Sequence, residues 1–133
     1  MPIRKISTTT VFVSDAQKAK AFYVDKLGFE LRQDMPLGMG TPEEDLRWLT
    51  VAPPGAETEL LLVKGFAGWS PELVGKYGGI VFQTDDIHST YEQMSSRGVK
   101  FTETPNLQYF GMWQAQFEDE DGNSYVLVAP QPA

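Results

Sequence analysis

The chain contains no cysteine and a single histidine, His88. Without cysteine there are no disulfides, no thiolate nucleophile and no Cys-ligated zinc, a usage that suits a cytoplasmic protein. His88 falls in what reads as the first turn of a helix, where a solvated imidazole is expected. No Ser-His-Asp or Cys-His set is therefore available. Basic residues are scarce and scattered: 11 Lys and Arg stand against 18 Asp and Glu, a net charge of -7. Such a balance repels a phosphate backbone and argues against a nucleic-acid partner. No apolar run approaches the roughly 20 residues of a membrane span. The first residues, MPIRKISTTTVFVSD, read as a short alternating strand and not as a signal peptide. Neither a phosphate-binding glycine loop nor a dinucleotide fingerprint is present. What is there is core-forming: 41% of the 133 residues are hydrophobic and 12% aromatic. That suffices for one domain or two small, closely packed halves.

The second half of the chain repeats the first. The stretch ISTTTVFVSDAQKAKAFYVDKLGF, residues 6–29, aligns with YGGIVFQTDDIHSTYEQMSSRGVKF, residues 77–101. Each runs from an alternating apolar segment through an acidic helix start and an amphipathic stretch to a glycine. Further on, WLTVAPPGAETELLLV from Trp48 aligns with WQAQFEDEDGNSYVLV from Trp113, with Gly55 set over Gly122. An internal period sets the architecture. Strands are predicted over 4–13, 29–35, 46–52 and 58–64, with a helix capped by Ser14 or Asp15 and ended by Gly28. A Pro/Gly-rich loop spans 36–45. The second half gives strands near 79–84, 99–103, 112–118 and 124–129, and a helix over 86–97. The expected fold is α+β: two pseudo-symmetric βαβββ units, about 1–65 and 78–133 with a linker over 66–77, curving around a hollow with helices outside. Alternation directs Thr8, Thr10 and Phe12 to that hollow from the first unit, and Gly79, Val81 and Gln83 from the second. The run Glu118–Asn123 looks like a calcium loop but lacks its alternating ligands and distal Glu. It is read as a hairpin turn.

These segments, VSDAQKAKAFYVDKLGFEL, AETELLLV, IVFQTDDIHSTYEQMSSRGV and FEDEDGNSYVLV, resemble the vicinal oxygen chelate superfamily, which includes glyoxalase I, bleomycin-resistance proteins and extradiol dioxygenases. The resemblance covers essentially the whole chain. It implies four strand positions that hold a metal in the metal-dependent members. Two lie seven residues before the acidic helix start, at Thr8 and Gly79. Two lie four residues after the turn glycine, at Glu59 and Val126. Only Glu59 is a competent ligand, and a catalytic metal needs about three. The expectation is therefore no metal and no cofactor. The favoured function is metal-independent binding of a small organic molecule, neutral or cationic and partly aromatic. The alternatives are a metal-dependent lyase or isomerase, or a ring-cleaving dioxygenase, of the same superfamily. The residues expected to meet the ligand are Thr8, Thr10, Glu59, Gln83, Tyr109, Phe110, Trp113 and Gln114. Aromatic faces and amides suit a planar guest. The resemblance further implies a homodimer.

Overall fold

The computed structural model describes residues 2–40 and 46–130. The second part of the 36–45 loop lies outside the described residues. Contacts divide the chain into two compact units, Met1–Val74 and Gly75–Ala133.

The first unit runs β1 (Thr8–Phe12), α1 (Ala16–Ala21), β2 (Glu30–Pro36), β3 (Arg47–Ala52) and β4 (Glu59–Val63). Its sheet order is β1-β4-β3-β2, with β1 parallel to β4 and the other pairs antiparallel. The second unit repeats this as β5 (Tyr77–Gln83), α2 (Ile87–Ser96), β6 (Lys100–Leu107), β7 (Met112–Glu118) and β8 (Ser124–Pro130), in the order β5-β8-β7-β6. Each unit is thus βαβββ. The predicted strand over 4–13 is shorter than expected, and that near 99–103 extends to Leu107.

Both helices begin as their sequences require. Asp15 Oδ1 accepts the Lys18 N–H at 3.0 Å, and Asp86 Oδ1 accepts the Ser89 N–H at 3.1 Å. Each cap satisfies one donor that the first helical turn leaves free. The last turn of the first helix is π-wound over Phe22–Lys26, with the Leu27 N–H reaching the Phe22 carbonyl at 3.3 Å. The widened turn buries two successive aromatics, Phe22 and Tyr23, which meet edge to face at 5.2 Å.

One face of each sheet packs on its helix. In the first unit Val11, Val13, Leu49, Val51, Leu60 and Leu62 are all buried. Asp34, in register with Leu49, identifies this as the helix side. Its carboxylate takes the Lys20 ammonium of α1 at 2.9 Å and the Arg47 guanidinium of β3. In the second unit Phe101, Phe117 and Tyr125 form the matching layer, and Tyr91 of α2 meets Phe101 edge to face at 4.7 Å.

The hydrogen bonds from Arg47 and then Lys20 hold the Asp34 carboxyl below the usual carboxylate range. A depressed folded-state value contributes stability that is present above the unfolded value near ~3.9 and lost as pH falls through the folded one. Asp34→Asn is expected to cost about 1–2 kcal/mol at neutral pH, since the pair is only half-buried. The gap to the unmutated chain should close as pH falls below ~4. Thermal melts across that range check this, and a gap that persists in acid would refute it.

Candidate functional site

The face of each sheet opposite its helix is where the chemistry is gathered. In the first unit the register sets Thr8 beside Glu59, and Thr10 beside Leu61, which in turn pairs with Thr50 and Thr50 with Gln33. Paired residues share a face, so Thr8, Thr10, Glu59, Leu61, Thr50 and Gln33 all lie on this open side. Trp48, two residues from Thr50 and in register with Met35, lies there as well. The expectation that Thr8 and Thr10 stand away from the helix agrees with this register.

Glu59 is not a lone carboxylate. Arg32 Nη1 donates to its Oε2 at 3.4 Å, while the same guanidinium reaches Glu30 at 3.1 Å and the Pro53 carbonyl at 3.2 Å. A β-bulge between Leu31 and Gln33 brings Arg32 to this face. A bulge inserts one residue and re-aims its neighbours, which alternation alone does not reveal.

In the second unit two rows of side chains cross the open face. One runs Gln83, Val128, Gln114, Asn106, and the other Val81, Val126, Gln116, Glu103. Gln114 Nε2 donates to Glu103 Oε1 at 2.9 Å. Asn106 Nδ2 donates to the Gln114 carbonyl at 3.2 Å, and Gln108 donates to Asn106 Oδ1. This face offers amides and short aliphatic side chains. Gln83 and Gln114, two of the residues expected to meet a ligand, lie on this face together with Glu103 and Asn106, which alternation does not place there because they lie beyond bulges in β6.

Two expected placements are corrected. Trp113 does not stand on the open face. It is in register with Ala129, on the helix side, and its ring meets His88 of α2 edge to face at 4.7 Å. Its expected repeat mate, Trp48, lies on the open side. Gln116 pairs with Val126 as Thr50 pairs with Leu61, so Trp48 corresponds to Gln114. A shift of one residue turns a side chain to the other face. The second correction concerns the repeat mate of Val126. Val13 and Thr84 donate to the Val63 and Val128 carbonyls respectively, which makes Leu61 the counterpart of Val126 and Ser124 that of Glu59. The β3–β4 hairpin is longer than its partner, so counting from the turn glycine misplaces the pair. Tyr109 and Phe110, two further residues expected to meet the ligand, lie outside the strand rows. They occupy the turn between β6 and β7, are 99% and 55% exposed, and meet each other edge to face at 5.2 Å.

The donor set at the four family positions does not fit a metal. Thr8 is a weak ligand, and neither Val126 nor its counterpart Leu61 has a donor. Gly79 has φ +78°, which a side-chain ligand would adopt only with strain. Glu59, the one carboxylate, is already engaged by Arg32. Among the described residues no group of three His, Cys, Asp or Glu side chains converges. The acidic turn is closed too: both carboxylate oxygens of Asp119 accept protein hydrogen bonds, from the Asp121 and Asn123 N–H groups and from Asn123 Nδ2. It is a hairpin turn and presents no calcium cage.

The sequence profile of the Glyoxalase/Bleomycin resistance protein/Dioxygenase superfamily matches residues 5–127. The chain is 43% identical over 126 residues to the uncharacterised protein YetH of Bacillus subtilis, covering 94% of this chain and 98% of that one. Among solved structures it is similar to TnmS3, an antibiotic binding protein from Streptomyces sp. CB03234. That match has 38% identity and a TM-score of 0.81, and covers 98% of this chain and 99% of the other. It is also 29% identical over 126 residues to a probable lactoylglutathione lyase of Synechocystis, covering 90% and 91% of the two chains.

Proposed function

The chain belongs to the glyoxalase/bleomycin resistance protein/dioxygenase superfamily, and on that premise we propose that it binds a small, planar, partly aromatic molecule without a metal. The side-chain chemistry at Thr8, Leu61, Gly79 and Val126 carries the reading. Superfamily lyases and dioxygenases use a metal as Lewis acid or oxygen activator, and these four residues supply no anchor for one. The similarity to an antibiotic binding protein supports a role in holding a drug-like molecule. The similarity to a probable lactoylglutathione lyase favours the rival reading, a metal-dependent enzyme.

On the open face of the first unit Trp48 provides a flat apolar plate and Thr8 and Thr10 provide hydroxyls; on the open face of the second, Gln83 and Gln114 provide amides. Arg32 compensates part of the charge of Glu59 and Glu30, so a neutral guest suits the first unit at least as well as a cation. The net charge of -7 disfavours anions at long range. We assign the turn at Tyr109 and Phe110, with Leu107 at 47% exposure, to contact with a second copy of the chain.

A series of planar tricycles differing in charge tests the reading. By isothermal calorimetry, acridone (neutral) and 9-aminoacridine (cationic) are expected to bind with Kd on the order of 1–100 μM. Acridine-9-carboxylate should bind at least about tenfold more weakly, a difference of ~1.4 kcal/mol. Elemental analysis after growth in metal-supplemented medium should find no stoichiometric metal, and sedimentation of the same samples should give a dimer. A full equivalent of bound zinc, nickel, iron or manganese, or strongest binding by the carboxylate, overturns the proposal. A monomer in sedimentation removes the dimer assignment alone.

A further inference from the structure

Thr50 lies on β3, an inner strand of the first sheet, with Gln33 in register on one side and Leu61 on the other. It is fully buried. Its hydroxyl has no hydrogen-bond partner among the described residues. Every neighbouring strand position that is equally buried, Leu49, Val51, Ala52, Leu62 and Val63, is aliphatic. Valine has nearly the same shape as threonine and would fill this place without a polar atom. A buried hydroxyl left unmatched is unfavourable, because it gives up its hydrogen bonds to water and recovers none. In a helix a threonine can bond back to a carbonyl of the preceding turn, but an extended strand directs its side chain away from its own backbone groups. No side chain of the sheet supplies that partner among the described residues, and the hydroxyl faces the open side, from which a bound molecule can supply one.

We propose that Thr50 is a specificity-determining contact. Its hydroxyl donates to an oxygen acceptor, a carbonyl or phenolic oxygen, on the edge of the planar guest whose body lies against Trp48. The inference rests on the reading of the chain as a small-molecule-binding protein and names the atom that the guest must present. Because the hydroxyl is closed off from solvent, the guest reaches it only by displacing side chains that cover it. Recognition is then of the matching kind in which a buried polar group left unpaired penalises the wrong molecule.

Two tricycles of similar area separate the hydrogen bond from simple burial: acridone, which carries a carbonyl oxygen, and 9,10-dihydroacridine, which keeps the ring N–H and has a methylene in place of the carbonyl. The unmutated chain is expected to prefer acridone by at least about tenfold in Kd. Thr50→Val should abolish that preference by weakening acridone and leaving 9,10-dihydroacridine unchanged. Thr50→Ser should retain it. Without ligand, Thr50→Val should melt at the same temperature as the unmutated chain or higher, because it removes an unmatched polar atom. An unchanged acridone preference in Thr50→Val overturns the inference and leaves the binding reading intact. A melting temperature lowered by several degrees in the unliganded valine variant also overturns it, since the hydroxyl would then be satisfied within the folded chain. Failure of the unmutated chain to bind any of the tricycles removes both the binding reading and this contact.

Discussion

Replacing Asn123 by alanine is expected to lower the melting temperature by about 10 °C, the largest stability effect of any polar substitution in the second unit. Asn123 is almost fully buried and works in two directions. Its Oδ1 accepts the N–H groups of Gly75 and Lys76, at 2.8 and 3.2 Å, and so holds the segment that enters β5. Its Nδ2 donates to Asp119 Oδ2 at 2.9 Å, and Asp119 Oδ1 in turn takes the N–H groups of Asp121 and Asn123, each at 2.9 Å. The turn and the entering segment are locked to each other tightly: a Cβ on Gly75, at φ +84°, would lie 2.7 Å from the Asp121 carbonyl oxygen. Alanine at 123 removes the acceptor of two backbone donors and the amide that donates to a buried carboxylate oxygen. At about 1 kcal/mol for each lost or unmatched group, the cost is roughly 3 kcal/mol. For a chain of this size that corresponds to the stated drop in melting temperature. Calorimetric melts read it directly, and a fall of under about 3 °C would show that solvent replaces the network. Millimolar calcium should leave the melting temperature of the unmutated chain unchanged, because the Asp119 oxygens are already occupied.

The two tryptophans of the repeat should respond in opposite ways. Trp48 stands half-buried on the open face of the first sheet, and Trp113 stands on the helix side of the second, against His88. Trp48→Ala is expected to weaken acridone binding about 100-fold, the effect of losing a central aromatic anchor worth ~2.7 kcal/mol. The fold itself should lose much less stability than binding does. Trp113→Ala is expected to cost about 2–3 kcal/mol of stability, a little below the range for deleting a fully buried tryptophan, because its ring is only half-buried. Affinity measured on the folded fraction should stay within about threefold. Thermal melts paired with calorimetric titration separate the two. Loss of binding in the Trp113 variant with full binding in the Trp48 variant would invert the assignment of faces.

Much of the architecture is legible in the chain alone. The acidic starts at Asp15 and Asp86, the apolar helical spacing that follows, and the strands around Gly55 and Gly122 declare two βαβββ units, because local propensity and hydrophobic period act over a few residues. The same locality excludes thiol chemistry and leaves His88 as the single imidazole. Sheet register is a different kind of information. It depends on bulges near Arg32, Gly79 and Glu103 and on a hairpin longer in one half than in the other, and each of these moves side chains between faces without disturbing the alternating pattern on either side. That is why the repeat alone places Trp113 on the open side although it stands on the helix side, and why counting from the turn glycine matches Glu59 to Val126 although Ser124 is its counterpart. Pairings between distant residues are likewise invisible to period and propensity. Only the folded sheet brings Arg32 to Glu59 and leaves the Thr50 hydroxyl buried without a partner among the described residues. Sequence determined the units and their order. Tertiary structure decided which side of each sheet a side chain serves, because a strand has two faces and only its neighbours select between them.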